Sequence, residues 1–448
     1  MAADSAFYNA GQIVEFPKCH PNTRLAILDR LRKWIRSDPD ADPETSVLWL
    51  YGAAGAGKSS IARTIAEWCD KENRLLASFF FFRGDSSRDN VKNFIPTLAY
   101  NITQTIPGSR SNITQVIQSD PLISSKSLET QFNRLILEPF MQHKSYLLSK
   151  GPNTDVTDLM LVDPRPTLTL PNVVIIDGLD ECVDQAEQVA IIRLFASVLN
   201  ENLGWKIFIA SRPEQNIRIS FNRTIPQHLS TCIALNDEQD SDGDIRRYLQ
   251  DEFMEIKQTH SYIPINWPDV DDIAKLVCRA SGQFIYAKTV IKYVASNNHR
   301  PTQRLRSILD NKPHANNPAN FPFAALDELY SYVLRAAGER LGDLETITQI
   351  AALCCRTDLR LYGLVGNGEA PTTVFANILN LDTEGVTLIL DGLSSIILHS
   401  DQSARVYHTS FAEFLFDWSR SGDLWVDEKV LLTKVVCYIL STPRRFIS

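Results

Sequence analysis

The stretch that decides the fold is Val47–Ser60, VLWLYGAAGAGKSS. Its first five residues form a continuous apolar run, which predicts a strand buried on both faces of a parallel sheet. The following residues match GxxxxGK[ST], in which glycines let backbone N–H groups surround a phosphate, the lysine reaches the β- and γ-phosphates, and the hydroxyl binds Mg²⁺. The predicted nucleotide-binding residues are Gly52, Gly55, Ala56, Gly57, Lys58, Ser59 and Ser60, with Ser59 also a Mg²⁺ ligand.

A second motif lies at Val173–Glu181, VVIIDGLDE. Its apolar strand delivers Asp177 to the carboxyl edge of the sheet, where ligands bind in open α/β folds, so we expect Asp177 to hold Mg²⁺ directly or through water. Asp180 and Glu181 follow, and either is predicted to be the catalytic base that polarises the attacking water. As an alternative, these acids are ordinary residues near a helix N-terminus, where the dipole favours negative charge.

A third strand pattern, Ile207–Ala210, ends at Ser211-Arg212-Pro213. An arginine at the same sheet edge is predicted to bind nucleotide by contacting the γ-phosphate, because a guanidinium matches phosphate oxygens geometrically. Such a contact would distinguish ATP from ADP. The alternative is a solvated arginine that follows a strand.

Strand and helix patterns alternate up to about residue 240. The predicted strands are Val47–Tyr51, Leu75–Phe82, Val173–Ile176, Ile207–Ala210 and Cys232–Leu235. This alternation predicts the α/β class, with a P-loop NTPase parallel sheet and helices on both faces. Beyond it the pattern is helical, until Ile396–Ser400 and Ala404–His408 suggest a hairpin. A few helices followed by a hairpin predict a winged-helix domain.

The chain has 448 residues, and a typical domain of roughly 150 residues predicts about three domains. An N-terminal lead and first helix are expected at 1–36, and the P-loop core at 37–240 with a loop insertion at 148–171. An all-α helical domain is expected at 241–320, a winged-helix domain at 321–425, and a C-terminal tail at 426–448.

Composition excludes several classes of protein. Lys plus Arg total 45 against 53 for Asp plus Glu, a net charge of −8, which argues against a dedicated nucleic-acid binder. The longest apolar run, Leu75–Phe82, is far shorter than a membrane span, and the N-terminus lacks a signal-peptide pattern. The scattered cysteines indicate free thiols. We therefore expect a cytoplasmic protein with no membrane span and no nucleic-acid partner.

Taken together, GAAGAGKSS at 52–60, VVIIDGLDEC at 173–182 and KIFIASRP at 206–213 resemble the NACHT domain of STAND P-loop NTPases. The chain is most similar to fungal NACHT proteins of the nephrocystin-3-like kind, which PKCHPNTR at 17–24 and YHTSFAEFLFD at 407–417 also support. The resemblance implies a P-loop core, a helical domain and a winged helix that act as a nucleotide-gated switch. It also implies Mg²⁺ and ATP or ADP as cofactors, with slow hydrolysis.

The resemblance implies roles for individual residues as well. Gly178 and Asp180 stand at positions that mark NACHT domains, and Arg212 stands at the position of the γ-phosphate sensor. His408 stands at the position of the winged-helix histidine that holds the ADP β-phosphate; from the residues alone it is a histidine beside a helix start. Where related ATPases carry an adenine-contacting proline, this chain has Phe284. The choice between ATP and GTP therefore stays open.

Three functions are compatible with these patterns. The first is a switch that controls oligomerisation or signalling in an innate-immunity or heterokaryon-incompatibility-like pathway, with itself or related NACHT proteins as partners. The second is a multiple-turnover ATPase motor, although such motors commonly place Glu where this chain has Gly178. The third is a truncated interaction protein that binds nucleotide without signalling, since the family's sensing and output modules are expected to be absent from this chain.

Overall fold

The computed structural model describes residues 2–10, 18–38, 45–83, 85–150, 170–201, 203–235, 241–295, 300–310, 323–341, 343–356, 370–400 and 403–441. Of the loop insertion expected at 148–171, residues 148–150 are helical and 151–169 lie outside this description. None of the described helices is both long enough and apolar enough to cross a membrane.

Five parallel strands form the central sheet, in the order β2-β3-β4-β1-β5. They are β1 (Val47–Tyr51), β2 (Leu75–Phe80), β3 (Val173–Asp177), β4 (Lys206–Ser211) and β5 (Ser230–Ala234). The prediction of a parallel α/β sheet is confirmed. The strand expected to reach Phe82 ends two residues earlier, because the Phe82 N–H turns to the Arg88 carbonyl instead of continuing the ladder.

Strands β3, β4 and β1 are neighbours, and their carboxyl ends meet at one edge. Asp177 is level with Ala210, and Tyr51 is level with Ser211. The chain therefore leaves the sheet at three adjacent points, at the Gly52 loop, at Gly178 and at Arg212. Sheet order, which the sequence does not reveal, is what brings the three predicted motifs together.

Helices cover both faces of the sheet, so successive residues of the inner strands are buried on alternate faces. Leu48, Leu50 and Ile175 pack on one face against the first two helices, and Val47, Trp49 and Ile176 face a separate core on the other side. The helices of this half are α1 (Leu25–Arg36), α2 (Lys58–Lys71), α3 (Phe94–Thr105), α4 (Arg110–Ser119), α5 (Leu128–Phe132), α6 (Glu138–Lys150), α7 (Gln185–Ser197) and α8 (Gln215–Thr224).

The second half is helical apart from a two-stranded antiparallel hairpin, β6 (Ile397–Ser400) and β7 (Ser403–Val406). One continuous apolar core runs from Ile245 to Val435 and joins the two regions expected to be separate domains. The helices are α9 (Ser241–Thr259), α10 (Val270–Ala280), α11 (Phe284–Ala295), α12 (Pro301–Asp310), α13 (Ala324–Leu341), α14 (Leu344–Cys355), α15 (Pro371–Leu379), α16 (Thr383–Gly392), α17 (Thr409–Leu415), α18 (Trp418–Ser421) and α19 (Glu428–Ser441).

The aromatic cluster on the α3 side gives a test of the core. Phe94 is fully buried, and its ring centre lies 5.1 Å from that of Phe79 and 5.6 Å from that of Phe81. Phe94→Ala should lower the free energy of unfolding by about 3–5 kcal/mol, through lost burial and the cavity left behind. Urea denaturation followed by tryptophan fluorescence measures this loss. Tyr100→Ala on the exposed side of α3 is the control, and an equal loss there would contradict the assignment.

Candidate phosphate-binding site

The loop between β1 and α2 has the backbone conformation that its glycines make possible. Gly55 and Gly57 have φ of +73° and +95°, in the left-handed region that other residues avoid. A Cβ added at Gly57 would meet no atom within 4 Å, so this side of the loop faces open space. The first turn of α2 follows at Lys58, and its free N–H groups make the loop a ready anion site.

The same loop is covered from the other half of the chain by α11. A Cβ on Gly55 would lie 2.2 Å from the Ile285 Cγ2, and the Ile285 N–H donates to the Gly55 carbonyl at 3.3 Å. Gly55 is thus required both for its φ and for this close approach. The beginning of α11 packs directly on the phosphate-binding loop.

Lys58 is held inside the loop by backbone oxygens. Its Nζ donates to the carbonyls of Gly52 at 2.9 Å and Ala53 at 2.8 Å. Burial lowers the pKa of Lys58, while the nearby Asp180 carboxylate acts in the opposite direction. The ammonium is therefore placed among neutral acceptors, where an anion would gain a strong charge-assisted interaction.

Asp177 ends β3 as a buried carboxyl group. Neither of its oxygens accepts a hydrogen bond of normal geometry from any residue that the structure describes. Burial raises the pKa of Asp177 to about 7, although the Ser59 hydroxyl and the Lys58 ammonium are close enough to lower it. A buried carboxylate beside a hydroxyl is a donor pair that suits Mg²⁺, which binds through one or two protein oxygens and otherwise uses water and phosphate.

Steric constraints explain why the residue after Asp177 is glycine. Gly178 has φ of +69°, and an added Cβ would lie 2.9 Å from the Phe81 carbonyl oxygen. Any larger residue would push β3 away from β2 at the point where Asp177 leaves the sheet. The backbone therefore requires glycine at position 178.

Asp180 and Glu181 occupy different environments. Asp180 is tied to Arg212: its Oδ1 accepts the Arg212 backbone N–H at 2.9 Å, and its Oδ2 lies 3.2 Å from the Arg212 Nε. Among the described residues, Glu181 accepts one hydrogen bond, from the backbone N–H of Arg83 at 3.0 Å. Burial and the adjacent Asp180 raise the pKa of Glu181. Glu181 is thus the better placed of the two to take up a proton.

Arg212 joins the sheet to the C-terminal half. Its Nη1 lies 2.6 Å from the Glu413 Oε1, and its Nη2 donates to the Thr409 Oγ1 at 3.2 Å. Both partners belong to α17, so one guanidinium holds that helix against the end of β4. Burial opposes the charge, yet the Glu413 and Asp180 carboxylates raise the pKa of Arg212.

His408 is the N-cap of α17. Its Nδ1 accepts the Ser410 backbone N–H at 3.1 Å and lies 2.8 Å from the Ser410 hydroxyl, which is 2.9 Å from the Tyr330 hydroxyl. Burial lowers the pKa of His408 to about 3, and the nearby Arg212 and Lys58 act in the same direction. The ring is therefore neutral, and because Nδ1 is the acceptor, its proton is on Nε2.

These groups line one cavity of about 400 Å³ between the sheet edge and the C-terminal half. The predicted site residues on its wall are Gly55, Gly57, Lys58, Ser59, Ser60, Asp177, Asp180, Glu181, Arg212 and His408. Gly52 and Ala56 are not on the wall; their carbonyls accept hydrogen bonds from Lys58 and Arg24 instead. The structure thus brings together groups that are far apart in the sequence, such as Lys58 and His408, which are separated by 350 positions.

The cavity is also lined by Phe284 and by three residues that the motif analysis did not assign to the site, His20, Arg24 and Tyr248. The Arg24 guanidinium lies 4.9 Å from the centre of the Phe284 ring and donates to the Ala56 carbonyl at 2.8 Å. Tyr248 completes this wall, between His20 at 5.3 Å and Phe284 at 6.2 Å, measured between ring centres. The signal in the sequence was PKCHPNTR, which by itself matches no phosphate-binding or metal-binding motif. Flat rings beside a phosphate loop suit a nucleobase.

The chain is similar to known proteins in part of its sequence and in its fold. A protein-family model described as "Nephrocystin 3, N-terminal" matches residues 24–158, less than a third of the chain. A comparison with curated proteins finds no match. A Walker-type ATPase of Pyrococcus abyssi is similar with a TM-score of 0.39 and 13% identity, over 89% of this chain and 97% of that chain. The ORC1 protein of Aeropyrum pernix in complex with DNA is similar at 0.35 and 11%, over 94% and 96%. Similarity at this level establishes no shared ligand.

The buried Asp177 carboxyl gives a pH-dependent test. Its pKa of about 7 in the folded chain lies above its ordinary value of 3.8, so its stabilising contribution is present at low pH and is lost as the pH rises through 7. Without Mg²⁺ and nucleotide, Asp177→Asn should raise the melting temperature by about 2–4 °C at pH 8 and by clearly less at pH 5, where the carboxyl group is mostly protonated in the folded chain. Thermal unfolding at both pH values measures this. Asp29→Asn on the exposed side of α1 is the control, and a destabilised Asp177→Asn at pH 8 would contradict the assignment.

Proposed function

We propose that the chain is a Mg²⁺-dependent nucleotide-binding switch of the STAND type, with ATP and ADP as its ligands. The observation that carries the proposal is that Lys58, Asp177, Arg212 and His408 line one cavity although they come from four separate segments. The match of residues 24–158 to a nephrocystin-3 N-terminal model agrees with this family.

In this proposal the loop Gly52–Ser60 surrounds the β-phosphate, with Lys58 bridging the β- and γ-phosphates. Ser59 and Asp177 hold Mg²⁺, which supplies charge neutralisation at the phosphate oxygens when bound. The Nε2–H of the neutral His408 donates to a phosphate oxygen. The aromatic end of the cavity, with Tyr248 and Phe284, takes the base, and nothing there selects adenine over guanine.

Hydrolysis in this proposal is slow and regulatory. Water attacks the γ-phosphorus, the bond to the β-phosphate oxygen breaks, and ADP and inorganic phosphate form. Glu181 orients the water and accepts its proton, which its raised pKa favours. Asp180 positions Arg212 and is not free to act as the base, because both of its oxygens contact that residue.

The switch itself is the competition for Arg212. Glu413 and Thr409 engage its Nη atoms, so a γ-phosphate must draw the guanidinium away from α17. ADP would leave the ion pair intact and hold His408 in place, whereas ATP would loosen α17. Each nucleotide would therefore bind one arrangement of α17, attached or loosened, more tightly than the other. This difference in affinity is what a switch requires.

The region from α13 to α17, with its β6–β7 hairpin, acts as a winged helix in this scheme. Its release would expose surfaces for oligomerisation with itself or with related NACHT proteins. We place this output in an innate-immunity or heterokaryon-incompatibility-like pathway, in accord with the sequence resemblance. Gly178, where motors commonly carry Glu, argues against rapid turnover.

The binding step is tested at Lys58. Lys58→Ala should weaken binding of both MgATP and MgADP by about 10–100-fold, because it removes charge-assisted hydrogen bonds to phosphate. Isothermal titration calorimetry on nucleotide-free protein measures both affinities. Lys71→Ala is the matched control, since Lys71 lies on the same helix and its side chain is 70% exposed. Wild-type affinity in the Lys58 variant would refute nucleotide binding at this loop.

The switching step is tested at Glu413. Glu413→Gln removes the charge that competes for Arg212, so the affinity for MgATP relative to MgADP should rise by about tenfold. Light scattering after chromatography should then show MgATP-dependent assembly at lower protein concentration. Glu384→Gln, at an exposed position of α16, serves as the control. An unchanged affinity ratio would show that the ion pair does not oppose the γ-phosphate.

A further inference from the structure

Helix α11 presents a second feature to the cavity beyond its contact with the phosphate loop. Lys288 follows Ile285 by three positions, so both side chains lie on the same side of the helix. Ile285 packs on Gly55, and Lys288 lies on the cavity wall together with Lys58, Arg212 and His408. Lys288 was not among the site residues expected from sequence.

Lys288 belongs to a group of cations around His408. Its Nζ lies 5.8 Å from the ring centre of Tyr407, the residue before His408. Together with Arg212 and Lys58, it is close enough to His408 to lower the pKa of that ring. Three positive charges from the loop, the sheet edge and α11 therefore surround one neutral N–H donor.

Other charged groups from neighbouring elements also face this group. Lys292, one turn further along α11, places its Nζ 2.6 Å from the centre of the Tyr407 ring. On the same wall Glu252 faces Lys288, and burial raises the pKa of that carboxyl group. Of the acids near the phosphate loop, Asp180 and Glu413 contact Arg212, and Glu181 accepts the Arg83 N–H.

We infer that Lys288 contacts the phosphate chain of the bound nucleotide, as a third cation supplied by α11 in addition to Lys58 and Arg212. The inference rests on the proposed nucleotide binding and goes beyond it in one respect. It makes a residue of the helical region sense the number of phosphates, and so ties α11, the loop and α17 to one ligand. A nucleoside without phosphates would gain nothing from this contact.

The test compares ligands that differ only in their phosphates. Lys288→Met keeps the length of the side chain and removes its charge. It should weaken MgADP binding by about tenfold, and change adenosine binding by less than about twofold. Calorimetry on nucleotide-free protein measures both. The matched control is Lys275→Met on α10, whose side chain is 59% exposed and which lies 3.9 Å from Asp272 outside the cavity.

Two further variants separate phosphate contact from a structural role. Lys288→Arg retains the charge and should keep MgADP affinity near that of the wild type. This variant also tests the inference if Lys288→Met does not fold. Glu252→Gln should leave MgADP binding unchanged or tighter, because it removes a negative charge opposite the phosphates. If it weakens MgADP as much as Lys288→Met does, Lys288 acts only as the partner of Glu252 and the inference is overturned.

The outcomes distinguish this inference from the function it rests on. If Lys58→Ala abolishes MgADP binding while Lys288→Met leaves it unchanged, nucleotide binding stands and the role of Lys288 is refuted. Equal losses for MgADP and adenosine in Lys288→Met also refute it, since they indicate a general disturbance of the cavity. If the wild-type protein binds neither ligand, both proposals fail.

Discussion

The attachment of α17 to the end of β4 depends on Arg212. Its backbone N–H and Nε both contact Asp180, which fixes the guanidinium at the end of β4, and its Nη1 lies 2.6 Å from Glu413. A partly buried ion pair of this kind gains little over an apolar contact, but the loss of one partner leaves an unpaired charge at high cost. The arrangement is therefore sensitive to any other anion that approaches Arg212.

The cavity around Arg212 disfavours the ionised forms of several side chains that line it. Burial raises the pKa of Asp177 and lowers the pKa values of Lys58 and His408, so each ionised form is opposed by its surroundings. A divalent cation near the carboxylate and a polyphosphate near the cations would compensate both kinds of charge at once. The folding of the chain and the binding of its proposed ligand are thus coupled through the same groups.

The fold was predictable where a motif and a strand coincide, because an apolar run bounded by glycine leaves few alternatives. Strand Val47–Tyr51 has the predicted bounds, and the predicted end of β2 at Phe82 was wrong by two residues. The proximity of Lys58 and Asp177 was predictable, because each follows the carboxyl end of a predicted parallel strand. The positions of Lys288 and Glu413 on the cavity wall and beside Arg212 carry no sequence motif, because only tertiary contacts bring these helix residues there.

The most direct measurement is to purify the chain under native conditions, denature it, and identify any released nucleotide by chromatography. A cavity lined by Lys58, Arg212 and His408 should retain a bound nucleotide through purification, and in the proposed scheme the Arg212–Glu413 ion pair favours the diphosphate. We therefore expect about one ADP per chain. Folded protein that releases no nucleotide, and that binds none when MgADP is added back, would contradict the assignment of this cavity.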